Sequence, residues 1–365
     1  MTTEVAERAG VRHLRVLARR PRPAGGAAER EAREYATSVL AALGFDVREE
    51  HFAYSAFPGR YATPIAGAVL GTTIVAASRL ALGGGTGSAA AVLVAGVAST
   101  AIFARWMLAD GVLSAPWLRT AGVNLAATRG LAEPKVWLVA HLDSKSQPVP
   151  SVARIAGVVL LALALGLACV AAALTLVGVQ SRTVWWGALA VGMAGALPVM
   201  ASVVGSRSDG AVDNASGVAA VLAAAARVRR DVVCGVLLPS AEELGLAGAR
   251  AWVRAHAASI ALNCDGVDDD GELVIMYNGR LPSDVVDAVR KSSPRAVDVR
   301  RMPLGLLTDS TALAAGGWRA VTVSYGSLAT LGRVHTPNDS LAALRGTSID
   351  DVADILARAA EALAT

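Results

Sequence analysis

Cysteine is scarce in this sequence, with three in 365 residues (Cys169, Cys234 and Cys264) and no CxxC or Cys/His spacing among them. That excludes a thiolate zinc site and a disulfide framework as organising devices, and leaves three small buried hydrophobes as the reading. Charge is scarce as well. Lys, Arg, Asp and Glu make up 18% of the chain, against about a quarter in an ordinary soluble domain. The deficit is uneven: four apolar stretches hold most of it, and the remaining segments have ordinary soluble composition. The N-terminal segment lacks an apolar core and does not read as a cleavable signal peptide. Net charge is +4 and the pI is near 9.2, with many arginines lying between positions 12 and 22 or beside the apolar stretches. Basic residues flanking apolar spans have a membrane explanation, so no nucleic-acid partner is expected.

Residues 61–82 and 88–108 are almost wholly apolar and are joined by an uncharged glycine-rich turn. Each is long enough to cross a bilayer core, which takes about 20 helical residues. Residues 152–179, whose one charge is Arg154, and 184–204 form a second pair around the turn Gln180-Ser181-Arg182-Thr183. They read as two transmembrane helical hairpins, with pairs of buried core helices as the other reading. Abundant Gly and Ala would let such helices pack closely in lipid. An even number of spans puts the intervening segments on one side of the bilayer, the expected lipid partner. Arg60, Arg105, Arg119, Lys145, Arg154 and Arg207 flank the spans on that side, and only Arg79 and Arg182 on the other. The positive-inside rule then places the soluble segments in the cytoplasm. The expected organisation is one soluble domain made of residues 1–60, 119–150 and 205–365, with hairpins at 61–108 and 151–204 inserted into it.

With the hairpins set aside, helical spacing at 27–43 ends at Gly44, and 45–52 alternates as a strand. Strands at 123–128, 135–141, 232–238, 260–264, 272–277 and 320–324 then alternate with helices at 214–229, 244–255, 283–291 and 348–363. That pattern predicts an α/β three-layer sandwich around a mostly parallel mixed sheet, in which ligand sites form beyond the carboxyl ends of strands. Five polar features fall there: His141-Leu142-Asp143, the run from Asp209 through Asp213-Asn214-Ala215-Ser216-Gly217, the pair Glu242-Glu243, Asp265, and His335-Thr336-Pro337-Asn338-Asp339. Each alone has a plain structural reading, such as a helix cap at Asp213-Asn214 or an acidic helix start at Glu242-Glu243. Together they offer carboxylates and imidazoles without thiolates, the donor set of zinc or a similar divalent ion in a hydrolytic site.

In order and residue type these motifs resemble the M28 zinc aminopeptidases, whose pattern is His-x-Asp, Asp-Asn-x-Ser-Gly, Glu-Glu, a single Asp and a late His. The resemblance covers residues 27–57 and 123–365 with both hairpins excised. It implies two zinc ions, or another divalent metal, with His141 and Asp265 on one, Glu243 and His335 on the other, and Asp213 bridging them. It also implies Glu242 as general base and peptides as substrates. Asp143 would orient the His141 ring, as a carboxylate behind a metal-bound imidazole does, and Asp339 would do the same for His335. The related M20 group carries a dimerisation domain before its last His, and the interval from Asp265 to His335 has no room for one. Glutaminyl cyclases share the fold with a single zinc, and retention of both His141 and the Glu-Glu pair speaks against their chemistry.

There are departures from the pattern. The long interval between His141 and Asp213 holds the second hairpin, which would set the site close to the bilayer. Leu307-Thr308-Asp309-Ser310-Thr311 stands where relatives often have Ser-Asp-His; Asp309 remains a candidate for a substrate amine, while Ser310 replaces the His. Val334 stands where some relatives have an oxyanion-stabilising tyrosine, leaving Tyr325 as either its substitute or an ordinary buried tyrosine. The expected function is a membrane-anchored dinuclear zinc aminopeptidase. The alternative is a non-enzymatic receptor, scaffold or transporter component on the same fold. Complete retention of ligands and base argues against a dead relative, and the lack of carboxylates within the spans argues against transport.

Overall fold

A computed structural model describes residues 8–107, 111–179, 181–303 and 305–364. Leu108, at the end of the first expected hairpin, and Gln180, in the turn of the second, lie outside the described residues. The chain forms two compact units, one of Met1–Ser55, Leu118–Ser146 and Ser206–Thr365, the other of Ala56–Trp117 and Gln147–Gly205.

The first unit is built on strands β1 (Asp46–Ser55), β2 (Arg119–Arg129), β3 (Val136–Val139), β4 (Cys234–Leu238), β5 (Ile260–Val267), β6 (Glu272–Tyr277), β7 (Val297–Arg301) and β8 (Arg319–Gly326). They form one sheet in the order β1-β2-β4-β3-β5-β8-β6-β7. β4, β3, β5 and β8 are mutually parallel at its centre. β1, β2 and β6 pair antiparallel at the flanks, and β7 lies parallel to β6 at the edge. A strand covered on both faces reads as an unbroken apolar run, and Val136-Trp137-Leu138-Val139 is one, buried throughout. Successive side chains point to opposite faces. Val136 and Leu138 enter the larger core under helices Ala9–Leu17, Ala27–Ala42, Gly217–Arg227, Ser283–Ser292 and Ile349–Ala364. Trp137 and Val139 enter the smaller core with Trp252 and Trp318, beneath Ala247–Ala255 and Asp309–Ala315. This is the three-layer α/β sandwich that the alternating pattern predicts.

Helix Ala27–Ala42 stops at Gly44, whose φ of +84° favours glycine. There the Gly44 N–H donates to the Ala41 carbonyl and the Phe45 N–H to that of Leu40, at 3.0 and 3.1 Å, a Schellman end. Other boundaries differ from the sequence reading. β5 does not end at Cys264; its register against β8 shifts between Cys264 and Val267, a bulge that re-aims side chains and keeps Asp265 within the strand. The helix expected at 214–229 is regular only over Gly217–Arg227, and the one expected at 244–255 begins at Ala247, after the short turn Glu242–Leu244. Helix Ala9–Leu17 and strand β7 were not expected. The buried Leu14 and Leu17 of the first sit among arginines that blur its apolar period, and β7 is a largely exposed edge strand rich in charge.

In the second unit four helices, Phe57–Leu82, Thr86–Trp106, Ser151–Leu176 and Arg182–Met200, are long and apolar enough to cross a membrane, Ser151–Leu176 over its span to Thr175. The first starts four residues before the expected run, with Pro58 in its opening turn, where a missing N–H leaves no helical bond unmade. Ser151–Leu176 and Arg182–Met200 meet backbone to backbone. A Cβ on Gly195 would lie 2.8 Å from the Gly157 carbonyl oxygen and 2.8 Å from Leu161 N. Val94 and Ile102 are each 70% exposed, so apolar side chains cover outer as well as inner faces, as on a membrane span. Tyr61, Phe57, Trp117, Trp106 and Phe103 make successive ring contacts of 5.3–6.2 Å where Phe57–Leu82 begins and Thr86–Trp106 ends. Trp186 is exposed near the start of Arg182–Met200.

Candidate metal centre

The parallel strands deliver the polar motifs to one edge of the sheet. β3 runs on to His141, β4 to Glu242 and Glu243, and the bulge of β5 carries Asp265. The loop after β8 passes through helix Leu328–Arg333 to His335, whose φ is +64°. Asp213 comes from the irregular segment Ala211–Ser216, in which Asp213 (φ −114°, ψ 90°) and Asn214 (φ −136°, ψ 37°) leave helical geometry; their shared peptide bond is cis.

Two groups of potential ligand atoms result: His141, Glu242 and Asp265, and Asp213, Glu243 and His335, the atoms of each lying within 4.8 Å of one another. Asp213 faces both histidines, with Oδ1 3.1 Å from His141 Nε2 and Oδ2 2.8 Å from His335 Nε2. His141 Nε2 is also 3.7 Å from Asp265 Oδ1 and 4.0 Å from Glu242 Oε2, and His335 Nε2 is 3.4 Å from Glu243 Oε1. Despite these approaches, the buried His141 Nε2 and Glu243 Oε1 make no aligned hydrogen bond. Buried polar atoms are ordinarily satisfied. Atoms that converge without bonding one another, in a cluster dominated by carboxylates, fit a divalent cation as the missing partner.

The same crowding sets the proton affinities. Burial pushes Glu242 well above the usual carboxylate range; His141 opposes this, while Glu243, Asp265 and Asp309 add to it. Asp213 feels the same desolvation, but His335 and His141 outweigh it and hold the carboxyl well below its ordinary value. For Glu243 desolvation is overcome by Lys145 and His335, and the group falls to about 2.

Much of the supporting frame is invisible in the motifs. The Asp143 carboxylate lies 3.6 Å from His141 Nδ1, behind the ring as expected, but its hydrogen bonds go elsewhere. Its oxygens accept the Glu242 and Glu243 amides at 3.0 and 3.2 Å, and its backbone carbonyl meets His141 Nδ1 at 3.0 Å. Asp339, expected behind His335, instead accepts the Val212 and Asp213 amides at 2.7 and 3.2 Å. Asn214 Nδ2 donates to the Cys264 carbonyl, and its Oδ1 accepts from the Gly266 and Gly217 amides; Ser216 Oγ accepts from the Val267 amide. The Asp-Asn-x-Ser-Gly motif thus straps the Asp213 loop to the bulge beside Asp265. At Gly210 (φ +59°) a Cβ would sit 2.4 Å from the Asp213 carbonyl oxygen, so only glycine lets the chain pass.

Arg22, the last of the arginines in the N-terminal basic run, is buried. Its guanidinium donates to the carbonyls of Leu142, Leu17, Asp209 and Gly210 at 2.6–3.0 Å, tying the His141 loop to the Asp213 loop. Lys145, counted in the sequence among the basic residues flanking the apolar spans, is 14% exposed and pairs with Glu243 at 2.5 Å. Asp309 is fully buried, neither of its oxygens has a hydrogen-bond partner, and desolvation, with Asp265, Asp143 and Glu243 against the opposing His141, raises it to about 8. Tyr325 is not brought into the cluster. Its hydroxyl accepts from Arg295 at 3.0 Å and its ring lies in the larger core, the ordinary buried tyrosine of the two readings.

A mixed α/β sheet with a histidine–carboxylate cluster at the carboxyl edge of its parallel strands defines a metallopeptidase-like hydrolase architecture. The model of peptidase family M28 matches residues 124–360, and the chain belongs to that family. Its fold is similar to that of an aminopeptidase from Aneurinibacillus sp. strain AM-1 (14% identity, 96% of this chain and 92% of that one, TM-score 0.58). It is similar as well to BSAP, a zinc aminopeptidase from Bacillus subtilis (14%, 96% and 93%, TM-score 0.55), and to Porphyromonas gingivalis glutaminyl cyclase (14%, 96% and 96%, TM-score 0.54). At these identities the likeness establishes the fold; the names span two chemistries, so the fold does not choose between them. No curated protein sequence is significantly similar to this chain.

Proposed function

We propose that this chain is a membrane-anchored dinuclear zinc aminopeptidase acting on short peptides. The observation that carries the reading is Asp213, which turns one carboxylate oxygen toward each histidine of two otherwise separate ligand groups. His141 and Asp265 would hold one ion, Glu243 and His335 the other, and Asp213 both. Two such ions would supply Lewis acidity, polarising a scissile carbonyl and acidifying an attacking water. Glu242 then takes a proton from that water and delivers it to the departing amine nitrogen as the C–N bond breaks. Its buried carboxylate, 4.0 Å from His141 Nε2, is the one in the two ligand groups left without an ion to hold, and the Asp143 carboxylate on its amide keeps it in place. Asp309, buried with both oxygens partnerless, is the group available to a substrate ammonium. The four apolar helices, three of them with aromatic side chains at one end as at a bilayer interface, would anchor the enzyme. The arginine pattern supports a cytoplasmic catalytic unit, which labelling of single-cysteine variants in intact vesicles would check.

The decisive experiment uses the full chain in detergent, with bound zinc counted alongside hydrolysis of aminoacyl-nitroanilides and cyclisation of an N-terminal glutaminyl peptide. We expect chelator-sensitive hydrolysis and no cyclisation. Glu242→Gln should lower kcat at least about a hundredfold with metal content unchanged. Zinc loss in that variant would overturn the base assignment; bound zinc with neither activity in the unmutated enzyme would favour a non-enzymatic binding protein.

A further inference from the structure

Glu243 uses its two oxygens differently. Oε2 is 2.5 Å from Lys145 Nζ, and both side chains are largely buried. Oε1 has no hydrogen-bond partner and faces His335 Nε2 at 3.4 Å, inside the Asp213–Glu243–His335 group. Nothing in the motif pattern assigns Lys145 a role, and its burial removes it from the exposed basic residues that flank a membrane.

We propose that Lys145 sets the affinity of the Asp213–Glu243–His335 site for its divalent ion, by restricting Glu243 to one free oxygen and placing a fixed positive charge beside the site. The two metal sites then load unequally. A carboxylate shared with an ammonium offers less negative charge to a metal, and like charges repel more strongly in a buried, low-dielectric setting than in water. Lys145 also orients Glu243, which would favour binding. The sign of the effect on removing the lysine tells which influence dominates, and the proposal commits to repulsion.

The inference rests on the metal-centre reading, so its test is a binding measurement with no turnover in it. The full chain in detergent, stripped with chelator, is titrated with zinc in a metal buffer, and bound ions are counted by mass spectrometry and calorimetry. The wild type should load in two steps separated by about tenfold or more in Kd. Lys145→Met should tighten the second step by about tenfold and leave the first unchanged, while Lys145→Arg keeps the wild-type separation. Where the methionine variant does not fold, Lys145→Gln carries the same expectation. An unchanged or weakened second step in the neutral variants, or equal loading in the wild type, overturns the role of Lys145 alone. A wild type that binds no ion overturns the metal centre beneath it.

Discussion

Glu29 lies outside the ligand set yet is buried beside it, accepting from Ser240 Oγ and the Gly25 amide at 2.6 Å each. Desolvation, then the nearby Asp143, raises it to about 7; the two hydrogen bonds and Arg33 oppose this less effectively. The folded state therefore holds a proton that the unfolded chain releases near 4.5. The contribution to stability is complete below that unfolded value and is lost as pH rises through 7, amounting to about 3 kcal/mol. Thermal midpoints of the full chain at pH 5 and pH 8.5 should therefore fall with pH, and Glu29→Gln should flatten the difference. An equal slope in the variant would sink this assignment. The sequence marks this residue only as part of an amphipathic helix, because its partner Ser240 is 211 positions away.

Among the elements, the four long apolar helices are legible in the sequence because hydropathy is a local property, but their packing is not. At the crossing of Ser151–Leu176 and Arg182–Met200, the atoms nearest a Gly195 Cβ include backbone atoms, which cannot rotate aside. Gly195→Leu should cost about 1–3 kcal/mol through overpacking, read as a lower thermal midpoint of the helical unit, with zinc content unaltered; a wild-type midpoint would show that the close approach is not needed. The bulge in β5 teaches the converse. A strand ending at Cys264 is a natural reading of the apolar run, yet pairing with β8 carries the strand on through Val267. Residues Asn214 and Ser216, distant in the chain, bond to its backbone there. The short turn Glu242–Leu244 follows a residue in the left-handed region, Ala241 at φ +57°, a cost borne where the surroundings fix the conformation.

For the whole molecule, the second unit interrupts the first between residues 146 and 206, and the first closes over the break. Ser144 Oγ donates to the Ser208 carbonyl at 3.2 Å, and Ser146 Oγ accepts the Arg207 amide at 2.8 Å. Carboxylates crowded at that closure repel one another without a cation, so chelation should destabilise the first unit. A thousandfold excess of zinc over Kd should restore about 4 kcal/mol per site, read as a thermal shift; no shift on adding zinc would deny the site a structural ion. The sequence by itself determined the donor inventory, the alternating α/β order and the four apolar helices, because residue type, motif order and hydropathy can be read one stretch at a time. Only the tertiary structure decided which atom faces which. It gave the Asp143 carboxylate to the Glu242 and Glu243 amides, Asp339 to the Asp213 loop, Arg22 to four carbonyls, Lys145 to Glu243, and Tyr325 to Arg295. Those roles depend on contacts between segments far apart in the chain, and a hydrogen bond spanning 99 positions, as from Glu242 to Asp143, leaves no periodic or local trace.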